Sequence, residues 1–451
     1  MHSKQISYKT LLVLFFLHLT TALTTIDPRA EEVKKAFKHA WDGYSKYAYG
    51  HDEIQPLSNG VSDSRNGWGA SIFDGLDTMI IMGLEEDYNR GLEHVKKVNW
   101  TVTNAPSKTF ETNIRYLGGL LSAYDLKGDL SLLQKAVELA DKVIMPSFDT
   151  PNRMPAAFVD VENQRPAKGN IITLAEFGSL QLELVRLSQL TGNLKYERAG
   201  NHILEKISRV PSRVPGLYPM IWDLETFTPR SKRLQLDMWN SAVGSMRRYL
   251  RSETHYGKVY LAEIEKNYKL MRSGELVCFM PGNLLLGAAY LKDRKIGRFA
   301  FELMESCYDT WAHSPTGLAP ETWSWIDKSQ NLAVFPENMR KSMLTTGFIA
   351  QDTGYDLRPE TVESLFYFYR MTGDKTYQDK AWNIFQAIEK YCKTSAGYTR
   401  VSDVMNLNNV GGLDFEESDP NYISLDEYVF NTEAHPFKLK TPIRVQARTF
   451  S

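Results

Sequence analysis

Apolar residues recur at intervals of three and four along most of this chain, the spacing that gathers them on one face of an α-helix. In "FETNIRYLGGLLSAYDLKGD" the series is Ile114, Leu117, Leu121 and Tyr124. In "NIITLAEFGSLQLELVRLSQLTGN" it is Leu174, Phe177, Leu180, Leu184, Leu187 and Leu190, and in "PETVESLFYFYRMTGD" it is Val362, Leu365, Phe366 and Tyr369. Alternation with a period of two, the mark of a half-buried strand, is scarce. The pattern predicts a mainly α protein.

These three helices end alike, in "LKGD", "LTGN" and "MTGD". Gly128, Gly192 and Gly373 can take the left-handed conformation that closes a helix, and Asp129, Asn193 and Asp374 can cap the next one. A second amphipathic segment follows each time: "LSLLQKAVELADKVI", "LKYERAGNHILEKI" and "KTYQDKAWNIFQAI". The first two turns are about 64 residues apart, and the third lies at nearly three times that interval. This is a degenerate repeat of helical hairpins, which fits an open solenoid or a closed toroid of helix pairs.

The repeat changes how the acids read. Glu111, Glu176 and Glu360 each stand near the start of the first helix of a unit. Taken singly, each is a helix-start charge favoured by the helix dipole, and Pro359 suits a first helical position. In a closed ring, equivalent positions lie on one rim, so three acids distant in sequence would converge at one mouth. "PTGLAPETWSWID" adds Glu321, and Trp68, Trp323 and Trp325 supply aromatic neighbours. Such a set points to glycoside hydrolysis, which needs an acid and a base around a sugar.

Composition sharpens this. The 451 residues are 43% hydrophobic and 24% charged with a net charge of −1, which suits a soluble globular protein and excludes the basic footprint of a nucleic-acid binder. The start, "MHSKQISYKTLLVLFFLHLTTALTT", has Lys4 and Lys9, an apolar run from Leu11 to Leu19 and small residues around Ala22. That is the layout of a secretory signal peptide over residues 1–24, with a run short for a membrane span. The mature chain is expected to be soluble and monomeric, in the lumen of the secretory route or outside the cell. No retention tail is visible, which favours export. In an oxidising compartment Cys278, Cys307 and Cys392 make one disulfide and one leftover thiol, without the sequence choosing the pair. Asn99-Trp100-Thr101 is a glycosylation sequon.

"FETNIRYLGGLLSAY", "TGLAPE", "LRPETVESLFYFYR" and "VFNTEAHPF" resemble the signatures of glycoside hydrolase family 47, the class I α-1,2-mannosidases. "AFKHAWDGYSKYAYGHDE" and "SRNGWGASIFDGLDT" resemble its secreted fungal members. The resemblance runs from about Ala36 to Phe437. It implies an all-α (α/α)7 barrel over residues 30–440 and a calcium-dependent, inverting enzyme that removes α-1,2-linked mannose from high-mannose N-glycans. Glu111 matches the proton donor, Glu360 the proposed base, and Glu321 the acid of a "GPE"-type position. Arg115, Glu176, Arg358 and Glu363 match residues of the sugar subsite. Thr432 matches the direct calcium ligand, through carbonyl and hydroxyl oxygens, in a shell that calcium fills with six to eight oxygens. Glu433 would orient waters around the ion. Cys278 and Cys307 match the family's disulfide, leaving Cys392 free.

Three departures bear on activity. The family's "DSYYEYL" is replaced by "RLQLDMWNSAVGSMRRYL", where spacing favours Asp237 as the catalytic acid and the alternative alignment puts Gly244 there. The stretch from there to "LVCFMPG" is also shorter than usual. Its "HLxCF" becomes "ELVCF", which puts Glu275 in place of a histidine. A "MESF"-type helix gives way to "MNLNNVGGLDFEESDPNYI", so the ring is expected to lack one helix near its C-terminal end. Two functions follow: an active exo-α-1,2-mannosidase, or a mannosidase-like protein of glycoprotein quality control that binds glycans without cleaving them.

Overall fold

The computed structural model describes residues 27–167, 169, 171–210, 212, 214–218, 220–223, 236–265, 268–408 and 428–438. The expected signal peptide and most of the segment that replaces the "MESF"-type helix lie outside the described residues. Among the described residues, twelve helices of ten residues or more carry the architecture. They are α1 (Pro28–Tyr47), α2 (Ala70–Ile81), α3 (Glu85–Lys97), α4 (Gly118–Lys127), α5 (Leu130–Leu139) and α6 (Gln181–Thr191). The rest are α7 (Lys195–Ile207), α8 (Leu236–Ser245), α9 (Met280–Leu291), α10 (Arg294–Ala312), α11 (Glu360–Thr372) and α12 (Thr376–Tyr391).

The predicted hairpin turns form as the local chemistry requires. Gly128, Gly192 and Gly373 each close a helix at φ 73°, a conformation costly to any residue with a Cβ. Asp129 caps the next helix, taking the Ser131 N–H at 2.8 Å, whereas Asn193 and Asp374 stand one residue before the cap positions Leu194 and Lys375 and accept the N–H groups of Lys195 at 3.1 Å and Thr376 at 2.9 Å. The units α2/α3, α4/α5, α6/α7, α9/α10 and α11/α12 are therefore hairpins.

Their first members line the interior, with α2 packed on α4, α4 on α6, and α9 on α11. Trp239 of α8 donates to Asn283 of α9 at 2.9 Å. Gly119 lets α4 approach α2 closely, since a Cβ there would meet the Phe73 carbonyl oxygen at 2.4 Å. The fold is the all-α (α/α)7 barrel that the resemblance implies. Two of its seven units are irregular. After α8, the short strands Arg251–Glu253 and Val259–Leu261 occupy the place of a second helix. Helix α1 packs on α12 and pairs with it through Arg29 and Asp379 (2.7 Å), but its inner partner is not among the described residues. A cleft of about 480 Å³ lies there, lined by Val33 and Phe37 of α1 and by Trp382 and Phe385 of α12.

The core falls into two clusters, one built mainly by α1 to α7 and one mainly by α8 to α12, which Ala36 of α1 joins. Cys278 and Cys307 form the expected disulfide, and Cys392 is a buried cysteine outside it. A β-hairpin near the C-terminus, Tyr428–Phe430 paired with Pro436–Lys438, plugs the ring. It touches four inner helices: His435 Nδ1 lies 2.6 Å from Asp77 of α2, and Lys438 N–H donates to Asp125 of α4 at 2.6 Å. Asn431 donates to Glu183 of α6 at 2.9 Å, and Phe430 packs edge-on to Phe366 of α11.

Candidate active site

Two groups of charged side chains hold the acids singled out by the sequence. The first starts at the helical turn Thr109–Glu111, which passes into the π-helical turn Thr112–Leu117. Such π turns often mark functional positions, because the extra residue redirects a side chain. Arg115 binds three acids from there: Nε donates to Glu111 Oε2 at 2.8 Å, while Nη1 meets Asp74 at 2.9 Å and Glu433 at 2.5 Å. Arg65 Nε lies 3.3 Å from the same Glu111 oxygen. Burial opposes the charge of Arg115, but Glu433, Asp74 and Glu111 together hold its pKa well above the ordinary value.

The neighbouring acids divide the cost of burial unequally. Burial pushes Glu433 up to about 7 against the pull of Arg115, and Glu53 up to about 7 against Arg65. Asp74 is buried too, yet Arg115 and His435 hold it below the usual carboxylate range. Burial works against a charged His435, but Asp77 and Asp74 raise it to about 10.

The second group lies across the ring. Glu321 takes the backbone N–H of Asp356 on Oε1 at 2.8 Å and Arg358 Nε on Oε2 at 2.9 Å. Leu357, between those partners, sits at φ 55°, where a residue with a Cβ costs about 1–2 kcal/mol. Glu360 opens α11. Burial raises its pKa, opposed by its own backbone N–H and by Arg358, and its Oε2 is buried without a hydrogen-bond partner. One turn on, burial and the charge of Glu360 push Glu363 up to about 7. The cleft is lined by Glu53, Asp74 and Glu433 from the first group and by Tyr355, Leu357 and Val362, which neighbour the second group in sequence.

The floor is a buried network. Asn431 Oδ1 accepts the N–H groups of Glu433 (2.9 Å) and His435 (2.8 Å), which folds the turn Asn431–His435 with Ala434 at φ 61°. Its amide donates to Glu183, as does that of Asn113 at 2.7 Å. Burial pushes Glu183 up to about 7. Thr432 stands exposed at the tip of that turn. Thr432 itself offers a carbonyl and a hydroxyl oxygen, and among the described residues no group of three or more His, Cys, Asp or Glu converges as a metal cage. A hard cation that keeps much of its water shell fits such a position; a transition metal needing several protein ligands does not.

The remaining candidates lie less centrally. Glu176 closes a capping box: its Oε2 accepts from Thr173 N and Thr173 Oγ1, each at 2.9 Å. Its short helix, Leu174–Gly178, packs against the turn that carries Glu111. Asp237 is the second residue of α8, and its side chain is outside the described residues. The three tryptophans expected beside a sugar are core residues instead, 4%, 1% and 3% exposed for Trp68, Trp323 and Trp325. Trp68 donates to the Val102 carbonyl at 2.6 Å, and Trp325 to Ser252 at 2.8 Å. Sequence reasoning overlooked Glu53, Asp74, Asp77, Glu183 and His435. A usable signal was present for three of them: Asp74 and Asp77 interrupt the apolar "SIFDGLDTMII", and Glu183 falls on the buried face of α6.

Comparison with known proteins gives the family. The glycosyl hydrolase family 47 profile matches residues 36–237 and 228–418, two segments that meet where the Asp237 region departs from the family's pattern. Mannosyl-oligosaccharide alpha-1,2-mannosidase 1B of Aspergillus phoenicis is 34% identical over 94% of each chain. Its counterpart in Emericella nidulans is 33% identical over 94% of this chain and 95% of its own. The alpha-1,2-mannosidase from Trichoderma reesei superposes with a TM-score of 0.84 at 32% identity, covering 92% of this chain and 99% of that one. Long ordered motifs, a shared ring of hairpins and near-complete coverage lead to one conclusion: the chain belongs to glycosyl hydrolase family 47 and is a glycosidase.

Proposed function

We propose that the protein is a calcium-dependent, inverting exo-α-1,2-mannosidase that trims terminal α-1,2-linked mannose from high-mannose N-glycans, working as a soluble monomer in the secretory route or outside the cell. The observation that carries this reading is a pair of carboxyl groups, each set beside guanidinium groups: Glu111 under Arg115 and Arg65, and Glu360 beside Arg358, which Glu321 holds. Inversion needs an acid on the leaving oxygen and a base that activates water on the opposite face of the sugar.

Glu360 serves as the base. Its unpartnered Oε2 can accept a proton from water, and a raised pKa makes it a stronger base than an exposed glutamate. Glu111 serves as the acid: both guanidiniums meet its Oε2, which leaves Oε1 for the proton given to the leaving oxygen. Glu321 and Asp237 complete the catalytic set, and Arg115, Glu176, Arg358 and Glu363 form the sugar subsite. Thr432 would hold calcium through its carbonyl and hydroxyl oxygens, with Glu433 orienting the waters. Calcium, when bound, supplies an anchor for neighbouring hydroxyls of the terminal mannose.

A second reading, a glycan-binding protein without hydrolysis, is favoured by the departures from the family's pattern at "RLQLDMWNSAVGSMRRYL" and "MNLNNVGGLDFEESDPNYI". One assay separates the two: mannose release from a high-mannose N-glycan with calcium and with a chelator, for the protein and for Glu360→Gln. Calcium-dependent release lost in the variant supports the enzyme. Folded protein that binds mannose with calcium and releases none is the binder.

A further inference from the structure

Behind the Glu360 side of the site lies a carboxyl group with no part in the reaction just described. Glu275 opens the short turn Glu275–Phe279 and is 1% exposed. Its backbone N–H donates to the carbonyl of Glu321 at 3.0 Å. Its Oε1 accepts from Trp311 Nε1 of α10 at 3.1 Å and from Thr361 Oγ1 of α11 at 2.5 Å. Its Oε2 is buried and has no partner. Thr361 directly follows Glu360 in sequence. The same turn is tied to α11 by Ser364 Oγ donating to the Cys278 carbonyl at 2.5 Å, and to α10 by the Cys278–Cys307 disulfide. A single side chain thus joins two helices at the residue beside the base.

The surroundings decide its charge. The ionisable groups that face Glu275 are acids, Glu360 from α11 and Glu321 from the preceding loop, and Arg358 is engaged by Glu321. Tyr355 lies near all three acids as a neutral phenol, with Cys392 behind it. Two carboxylates in one dry site do not both ionise, and the proton stays on the one with the weaker support. Glu360 has a helix start and Arg358 in its favour. Glu275 has two neutral donors and no cation, and a proton fits its unpartnered Oε2. Burial accordingly raises its pKa well above the ordinary value.

We propose that Glu275 is a positioning residue for Glu360: a buried neutral acid that fastens the start of α11 to α10 and, by staying uncharged, leaves Glu360 as the ionised carboxyl of the pair. The proposal rests on Glu360 being the base.

Two variants and a spectrum test it. Glu275→Gln keeps the shape and the neutral charge, so kcat stays within about threefold of wild type and the acid limb of kcat/KM against pH does not move. An ionised Glu275 would give the opposite result, because removing its charge would shift that limb down by about a unit or more. Thr361→Val removes the tie to Glu275 without changing the shape, and kcat falls about tenfold with KM little changed. An unaltered kcat would overturn the positioning role. Independently of substrate, the infrared carboxylic-acid C=O stretch is recorded above the values of the other buried acids. It is present in the wild type and in Glu360→Gln and lost in Glu275→Gln. No such difference would overturn the neutral acid. A clear difference from a protein that hydrolyses nothing would instead refute the mannosidase reading and leave the neutral acid standing.

Discussion

Glu183 on α6 is a demanding place to change one residue. Its two oxygens take the amides of Asn113 and Asn431, at 2.7 Å and 2.9 Å, in a fully buried setting. Glu183→Leu leaves both donors without that acceptor. Each buried donor left unmet costs about 1–3 kcal/mol, so the variant loses about 2–6 kcal/mol. Glu183→Gln behaves differently. Asn431 cannot turn over, since its Oδ1 holds the N–H groups of Glu433 and His435, but Asn113 can, because its own Oδ1 has no partner. The new amide donates to Asn113 and accepts from Asn431, so the network survives. The pH dependence has a definite sign. Burial raises Glu183 from 4.5 to about 7, so the folded protein binds more protons than the unfolded chain between those values. Stability therefore falls as pH rises through that window, by about 3 kcal/mol from this group, and Glu183→Gln lacks that part of the slope. Urea unfolding across the window reads both effects. A leucine variant as stable as wild type, or a glutamine variant with the full slope, would refute the reasoning.

Further outcomes follow from other parts of the molecule. Because the base must be ionised, kcat/KM falls as pH drops through the raised pKa of Glu360, and Arg358→Met moves that limb higher by removing a cation; a downward move in the pH profile would contradict the assignment. The Cys278–Cys307 bridge joins residues 29 apart. Chain entropy puts its contribution at about 3–4 kcal/mol, so the double serine variant should lose that much in urea unfolding, and a loss under about 1 kcal/mol would speak against it. Asn99 is exposed, with Thr101 Oγ1 donating to its Oδ1 at 2.9 Å, and it should carry a glycan after secretion from a eukaryotic host. Intact mass should then drop by that glycan in Asn99→Gln, and identical glycan masses would exclude the site.

The hairpin repeat was legible because helix ends are written locally: Gly128 and Asp129 act on residues beside them. Glu111, Arg115, Glu321, Arg358 and Glu360 were legible for another reason, since they sit in long ordered motifs. The buried network under them was not. Glu183 reads as a misplaced acid until Asn431 arrives from 248 residues away, and Asp77 until His435 arrives from 358. Those pairings are made by the ring and its plug, and no local pattern carries them. The tryptophans misled because a large aromatic near an acid is more often core than sugar platform. The shortened unit after α8 could be counted as missing residues, but its replacement by short strands packed on α10 appears in the fold alone.

The central claim is that Glu360 activates a water that displaces α-linked mannose with inversion. Proton NMR of an α-1,2-linked mannoside, followed from the first minutes with calcium present, tests it most directly. The account predicts that β-mannose appears first and that Glu360→Gln releases none on the same timescale. First appearance of α-mannose, or hydrolysis by Glu360→Gln at the wild-type rate, would contradict it.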